Sequence, residues 1–312
     1  MQDASSLIAA LRDNINSVVL GKPEVIESCL TALLAGEHIL LEDVPGVGKT
    51  LVGKAIARSI SGEFRRIQFT SDLLPSDIVG SNIFNARTSE FTFHKGPIFA
   101  NVVLADEINR APPRTQSALL EAMSERQVSV DGETLQLPSP FIVIATQNPF
   151  EMEGTYTLPE SQMDRFLLRI SMGYPARNEE RLVLSSHRQV DPVNELKAVI
   201  SFEDLLRLQA RVREVKVDPA IEAYLLEIAH RTRNSDELRV GVSTRAVLSV
   251  YRAAQARALL CNREFVIPDD VKVLAVAAMA HRVLAKGLLR AGQRVAVEGV
   301  LSRLVENVPV PT

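Results

Sequence analysis

Apolar residues in the first 36 positions recur at helical spacing: Leu7, Ile8, Leu11 and Ile15, then Val25, Ile26, Leu30, Leu33 and Leu34. Gly21 and Pro23 interrupt the run, so the pattern predicts two helices with a short break. The spacing then changes. His38–Leu41 is a short apolar run, closed by a glycine-bearing turn and followed by the helical segment Leu51–Ala57. Further runs of strand length are Arg66–Phe69, Val102–Ala105, Phe141–Ala145 and Leu167–Ile170. Nearly continuous apolar strands alternating with helical segments predict an α/β fold, a five-stranded parallel sheet covered on both faces.

Two weaker alternating segments lie between these strands. Ile83-Phe84 with Phe91–Phe93 is one; Val128–Val130 with Leu135–Leu137, around Asp131-Gly132, is the other. Both read as hairpins projecting from the sheet, and the Asp-Gly pair is a strong turn signal. After Tyr174-Pro175 the pattern becomes helical: Glu180–Arg188, Phe202–Val215, Pro219–Arg233, Thr244–Leu260 and Pro268–Leu284. Pro175 marks a boundary between a domain of residues 1–176 and an all-α domain of residues 177–312. The tail Val308–Pro311 reads as extended and loose.

Composition narrows the classes. With 46% hydrophobic and 23% charged residues among 312, the chain is not disordered. A net charge of −3 gives no overall attraction to nucleic acid or anionic lipid. Cys29 and Cys261 form no C-x-x-C pair, so two buried reduced thiols are expected. The N-terminus lacks the pattern of a signal peptide, and no apolar run reaches membrane-spanning length; the cytoplasm is the expected location.

The strongest chemical signal is Glu42-Asp43-Val44-Pro45-Gly46-Val47-Gly48-Lys49-Thr50, between an apolar strand and a helix. Such a loop presents backbone N–H groups and a helix N-terminus to phosphate oxygens. Asp43, Val44, Pro45, Gly46, Val47, Gly48, Lys49, Thr50 and Leu51 are the expected nucleotide-binding residues. Lys49 would reach the β- and γ-phosphates, and the Thr50 hydroxyl would ligate Mg²⁺. Asp43 stands where the general pattern G-x-x-x-x-G-K-[ST] has its first glycine.

Val102–Ala105 ends in Asp106-Glu107. Carboxylates at the C-terminal end of a buried strand lie where open α/β sheets bind ligands. Asp106 would hold Mg²⁺ through water, and Glu107 would orient and activate an attacking water. The strand Phe141–Ala145 is followed by Thr146-Gln147-Asn148-Pro149, whose Asn148 amide could bond the γ-phosphate and that water. A turn-forming Asn before Pro is the simpler explanation of Asn148 taken alone.

Arg165 and Arg169 follow in Asp164–Arg169. Either could act in trans on a nucleotide at a subunit interface, an effect of about 10³–10⁵ in rate; Arg165 is preferred and Arg169 is the reserve. Arg245, in Val242–Arg245 at the start of a long helix, could reach back over the nucleotide and couple lid closure to it. Arg110 and Arg114 follow the acidic strand tip and could face a neighbouring subunit.

Taken together, Glu42–Thr50, Asp106–Ala111, Ala145–Pro149 and Leu158–Phe166 resemble the MoxR family of AAA+ ATPases, and the likeness runs from about Val19 into the helical part. Asp43 matches that family's usage. The resemblance implies a P-loop AAA+ αβα core with a helical lid, acting with ATP and Mg²⁺. It implies a homo-oligomer, commonly a hexameric ring, with Arg165 as the arginine finger and Arg245 as the second sensor. It further implies hairpins at Ile83–Phe93 and Val128–Leu137 that face a pore or a partner. The function implied is chaperone-like maturation of a client protein or complex, often alongside proteins with a von Willebrand factor A domain. The competing readings are the ATPase subunit of a metal chelatase, a nucleotide-gated scaffold with little turnover, and a DNA-acting motor. Glu107 argues against the scaffold, and the mild acidity argues against the motor.

Overall fold

The computed structural model describes residues 3–44, 46–149, 154–186, 191–287 and 293–311. Two helices open the chain, α1 (Ala4–Asn16) and α2 (Pro23–Ala35). Pro23 occupies the first turn of α2, where its missing N–H costs nothing. Gly36 ends α2 at φ 71°, a left-handed conformation that glycine adopts without penalty.

The sheet elements then alternate with helices: β1 (His38–Glu42), α3 (Lys49–Ser59), β2 (Phe64–Gln68), α4 (Pro75–Val79), hairpin strands β3 (Gly80–Asn85) and β4 (Glu90–Lys95), and β5 (Val102–Asp106). Next come α5 (Pro113–Glu125), hairpin strands β6 (Gln127–Val130) and β7 (Glu133–Gln136), β8 (Ile142–Gln147), α6 (Glu160–Met163) and β9 (Phe166–Ile170). β1, β2, β5, β8 and β9 form a parallel sheet in the order β2-β5-β8-β1-β9. Their C-terminal ends therefore share one edge.

Alternation along the strands feeds two apolar layers. Ile39 and Leu41 of β1, Val102 and Leu104 of β5, and Ile142 and Ile144 of β8 face one layer. Leu40, Val103, Ala105, Val143 and Ala145 face the other. This two-sided burial is why these strands read as continuous apolar runs rather than as alternating ones.

The helical part comprises α7 (Arg177–Ser186), α8 (Phe202–Glu214), α9 (Pro219–Arg233), β10 (Leu238–Val240), α10 (Thr244–Leu260), α11 (Pro268–Met279), β11 (Leu284–Ala285) and α12 (Gln293–Glu306). Its apolar residues, among them Leu208, Val250 and Leu274, join the layer that holds Leu7, Leu30 and Ile39. The lid is thus seated against α1 and α2 as well as the sheet.

Four details differ from the sequence reading. Cys261, expected to be buried like Cys29, is exposed just after the end of α10. The short antiparallel ladder of β10 and β11 sits within the helical lid. The helix expected to run to Leu284 ends at Met279 and passes through a 3₁₀ turn into β11. The tail is anchored, because Val308 is 3% exposed and the Arg231 side chain donates to the Asn307 carbonyl. Helices α5 and α12 carried no clear signal. Val295 and Val297 alternate as in a strand, and α5 has a sparse apolar stripe of Leu119, Leu120 and Met123.

His38 locks the start of β1. Its Nδ1 accepts the Val143 N–H at 3.0 Å, while Nε2 donates to the Met123 carbonyl at 3.0 Å, so the ring is neutral with the proton on Nε2. Burial pushes its pKa down to about 4, against the opposing pull of the Met123 carbonyl. The folded value lies below the unfolded one, so the unfolded chain takes up a proton first as pH falls. Stability is complete above about pH 6.5 and is lost progressively towards pH 4, by about 3 kcal/mol from this group. Chemical denaturation of wild type and His38→Gln between pH 7 and 4.5 should show the steeper acid loss in wild type; parallel curves would contradict the assignment.

Candidate nucleotide site

The loop from β1 to α3 turns on two glycines with positive φ, Gly46 at 84° and Gly48 at 98°. Both lie in a region that a Cβ disfavours, which is why the sequence places glycine there. Pro45, expected in the binding set, lies outside the described residues. Val44, Gly46, Val47 and Gly48 form the turn itself, and Thr50 and Leu51 occupy the first turn of α3.

Lys49 is only 9% exposed. Its ammonium donates to the carbonyls of Asp43 at 2.5 Å and Val44 at 3.0 Å. Burial lowers its pKa, and the negative charges of Asp43, Asp106, Glu107 and Glu42 oppose that shift. One cation thus faces a ring of acids at the C-terminal edge of the sheet.

The Asp43 carboxylate points to the segment that follows β9. It accepts from Ser171 Oγ at 2.8 Å, Met172 N–H at 2.9 Å and Gly173 N–H at 2.7 Å, and its other oxygen accepts from Val44 N–H. Burial would raise its pKa, but these bonds to the charged form outweigh burial and hold it below the usual range.

Asp106 ends β5 and is 7% exposed. Its Oδ1 accepts from Thr146 Oγ1 at 2.5 Å, and its Oδ2 lies 3.4 Å from Thr50 Oγ1. Arg66 of β2 donates to the same Oδ2 at 2.5 Å and 3.1 Å. Glu107 leaves the strand in a left-handed conformation, φ 58° and ψ 50°, a strained geometry for a residue with a side chain. Its N–H donates to Thr146 Oγ1 at 2.9 Å, its carboxylate accepts from Gln68 Nε2 at 2.9 Å, and Arg110 Nε lies 3.1 Å away. Asn148, 8% exposed, follows β8 beside this group, and its carbonyl accepts from Asn109 Nδ2. Lys49, Thr50, Asp106, Glu107 and Asn148 therefore gather at one edge of the sheet.

Arg165 and Arg245 do not join them. Arg165 precedes β9, whose Phe166 pairs with His38 at the N-terminal end of β1. The length of β1, about 13 Å, separates that end from the loop. Arg245, expected over the nucleotide of its own chain, instead lies 3.4 Å from Asp164 and lines a cleft with Arg165, Arg252 and Arg282. The lid packs on the face shared with α1 and α2, and this carries the start of α10 to the N-terminal ends of the strands. Arg169 has an 8% exposed side chain bridging Glu42 at 3.4 Å and Glu298 at 2.9 Å, so it is a buried internal ion pair. Arg110 contacts Glu107 of its own chain, and Arg114 is exposed.

Comparison with known proteins agrees with this arrangement. Residues 38–168 match the ATPase family associated with various cellular activities (AAA), and residues 230–297 match the AAA lid domain. The chain is 42% identical over 307 residues to the chaperone MoxR1 of Mycobacterium tuberculosis, covering 95% of this chain and 80% of that one. The chain belongs to the MoxR family of AAA+ ATPases. Another relative, the uncharacterised YeaC of Bacillus subtilis, is 48% identical over 310 residues, 99% of this chain and 97% of YeaC. A crystal structure of a candidate ATPase from Cytophaga hutchinsonii, 36% identical, covers 99% of this chain and 96% of its own with a TM-score of 0.90. The fold is accordingly the AAA+ α/β core with a C-terminal helical lid. Among the described residues no helix is long and apolar enough to cross a membrane.

Sequence reasoning missed Arg66, Gln68 and Thr146 as parts of this MoxR-family site. Arg66 and Gln68 are two residues apart and so share a face of β2, but their partners became visible only once β2 was paired with β5, Gln68 opposite Asp106. Arg282 was also missed. Its side chain is 3% exposed; it lies 3.0 Å from Asp164 Oδ1 and donates to the Phe166 carbonyl at 2.7 Å. Burial lowers its pKa to about 10, opposed by Asp164 and Glu37.

Asp164→Ala would leave that guanidinium without its counter-charge. Unfolding free energy should fall by roughly 3–5 kcal/mol, and Asp164→Ala/Arg282→Met should recover most of it. A double variant as unstable as the single one would show that the pair is not coupled.

Proposed function

We propose that this chain binds ATP with Mg²⁺ along Asp43–Leu51 and hydrolyses it to drive chaperone-like remodelling or activation of a partner protein. The observation that carries the reading is the buried Lys49 ammonium, set in a glycine loop and facing two carboxylates at the tip of β5, one strand removed from β1 in the sheet. The donor set suits both ligands. An ammonium hydrogen-bonded to loop carbonyls can be drawn to phosphate oxygens, as can the N–H groups of Gly46, Val47 and Gly48. Thr50 and Asp106 offer oxygens 3.4 Å apart, the donor type that a hard cation takes. Mg²⁺, when bound, would neutralise charge on the phosphates.

The remaining roles fall to the chain's own groups. Glu107 accepts a proton from, and orients, the attacking water, while Gln68 and Arg110 fix its carboxylate. Asn148 positions that water and the terminal phosphate. Arg165 and Arg245, on the far edge of the sheet from Lys49, serve the nucleotide of an adjacent copy, and this supports a ring assembly, a hexamer by family likeness. Arg169 is removed from that role by its burial. The name of the MoxR1 relative supports the chaperone reading, and a client with a von Willebrand factor A domain follows from the family resemblance.

Glu107→Gln should retain ATP binding while turnover falls about 10²–10⁴-fold. Equal turnover in wild type and variant would favour a nucleotide-gated scaffold. Arg165→Ala should lose about 10³-fold in turnover, and mixing it with Lys49→Ala subunits should restore part of the activity through interfaces that pair an intact loop with an intact arginine. Absence of any recovery would contradict action in trans.

A further inference from the structure

Asp43 is the one residue of the loop that departs from the general phosphate-loop pattern, and the structure gives its side chain a defined task. Three donors from consecutive residues, Ser171 Oγ, Met172 N–H and Gly173 N–H, converge on Asp43 Oδ2 within 2.7–2.9 Å. The same residue's carbonyl receives the Lys49 ammonium. Residues 171–173 connect the last strand of the sheet, β9, to α7 and the lid. They also pass near the end of the loop, where a Cβ built on Gly48 would stand 3.7 Å from Met172 Cε. Just upstream, Glu42 is tied through Arg169 to Glu298 on α12 of the lid. The beginning of the loop is therefore fastened to the exit of β9 by one carboxylate, and its end lies near the same segment.

We propose that Asp43 is a positioning residue that couples the phosphate loop to the β9–lid connection, so that phosphate capture by Lys49 changes how firmly residues 171–173 are held. It rests on the nucleotide-binding reading above. A charged acceptor with three donors is a strong, directional tie, whereas glycine at this position would leave the Met172 and Gly173 N–H groups without it. When Lys49 turns from the Asp43 carbonyl to phosphate, the loop around Asp43 becomes ordered by its ligand, and the donors on the lid connection are held more tightly. The two ends of the coupling are both named atoms of one residue. Sequence position alone does not suggest it, since Asp43 and Gly173 are 130 residues apart.

Backbone hydrogen exchange on the full chain tests it, with and without a saturating non-hydrolysable ATP analogue and Mg²⁺. In wild type the analogue should slow exchange at Met172 and Gly173 by about threefold or more. In Asp43→Gly, exchange at both amides should be at least about tenfold faster, with no response to the analogue at a concentration shown by titration to saturate the variant. If Asp43→Gly does not fold, Asp43→Asn carries the test, since its amide keeps the shape but offers weaker acceptance to the same donors; it should lose most of the response. Analogue binding to wild type without any change at these amides, or an equal change in the Asp43 variants, overturns the coupling alone. No analogue binding to wild type overturns the functional reading and the coupling with it.

Discussion

Burying the ammonium of Lys49 is the constraint on which the rest of the site is built. A lysine 9% exposed is costly unless its charge is met. Here two loop carbonyls meet it directly, and Glu42, Asp43, Asp106 and Glu107 meet it through space. Each acid is held in turn by a side chain or backbone group from elsewhere in the chain. Glu42 is bound by Arg169 of β9, Asp43 by the turn after β9, Asp106 by Arg66 of β2 and Thr146 of β8, and Glu107 by Gln68 of β2. All five strands contribute, because the sheet is parallel and brings all its C-terminal tips to one edge. A parallel, doubly covered sheet is thus a requirement of the site as well as its scaffold.

The same topology separates functions in space. Strands begin at one edge and end at the other, so a side chain just before β9 stands a strand length away from one just after β1. Arg165 and Arg245 line one cleft at the beginning edge, where Asp164 pairs with the buried Arg282. A single chain places its phosphate loop and these arginines too far apart to act on one ligand. In the function proposed above, that separation is what a ring would use, each interface joining one copy's loop to the next copy's arginines.

Much of this was legible in residues that do one job. Lys49, Thr50, Asp106 and Glu107 stood out because each sits at a strand end or helix start, where short-range pattern alone fixes its place. The strands β1, β5 and β8 were legible because both their faces are buried, and Pro175 lies just after β9, where the sheet ends. What depended on distant pairing was not legible. Arg66 and Gln68 looked like ordinary polar positions of a strand until β2 was set beside β5. Arg282 falls inside the segment expected to be helical to Leu284, and only the turn that follows α11 carries it to Asp164. The edge at which Arg245 lies was not legible, because the placement of the lid follows from α2 and α10 sharing a core, which no local signal encodes. Asp43 was read as a tolerated departure, yet its partners lie in the segment leading to the lid.

The account turns on what Lys49 does when a triphosphate is offered. A crystal structure with Mg²⁺ and a non-hydrolysable ATP analogue measures this directly. The account predicts that Nζ leaves the carbonyls of Asp43 and Val44 for phosphate oxygens, with the metal between Thr50 and Asp106. Finding the ammonium still on those carbonyls, with the analogue bound elsewhere on the molecule, would contradict it.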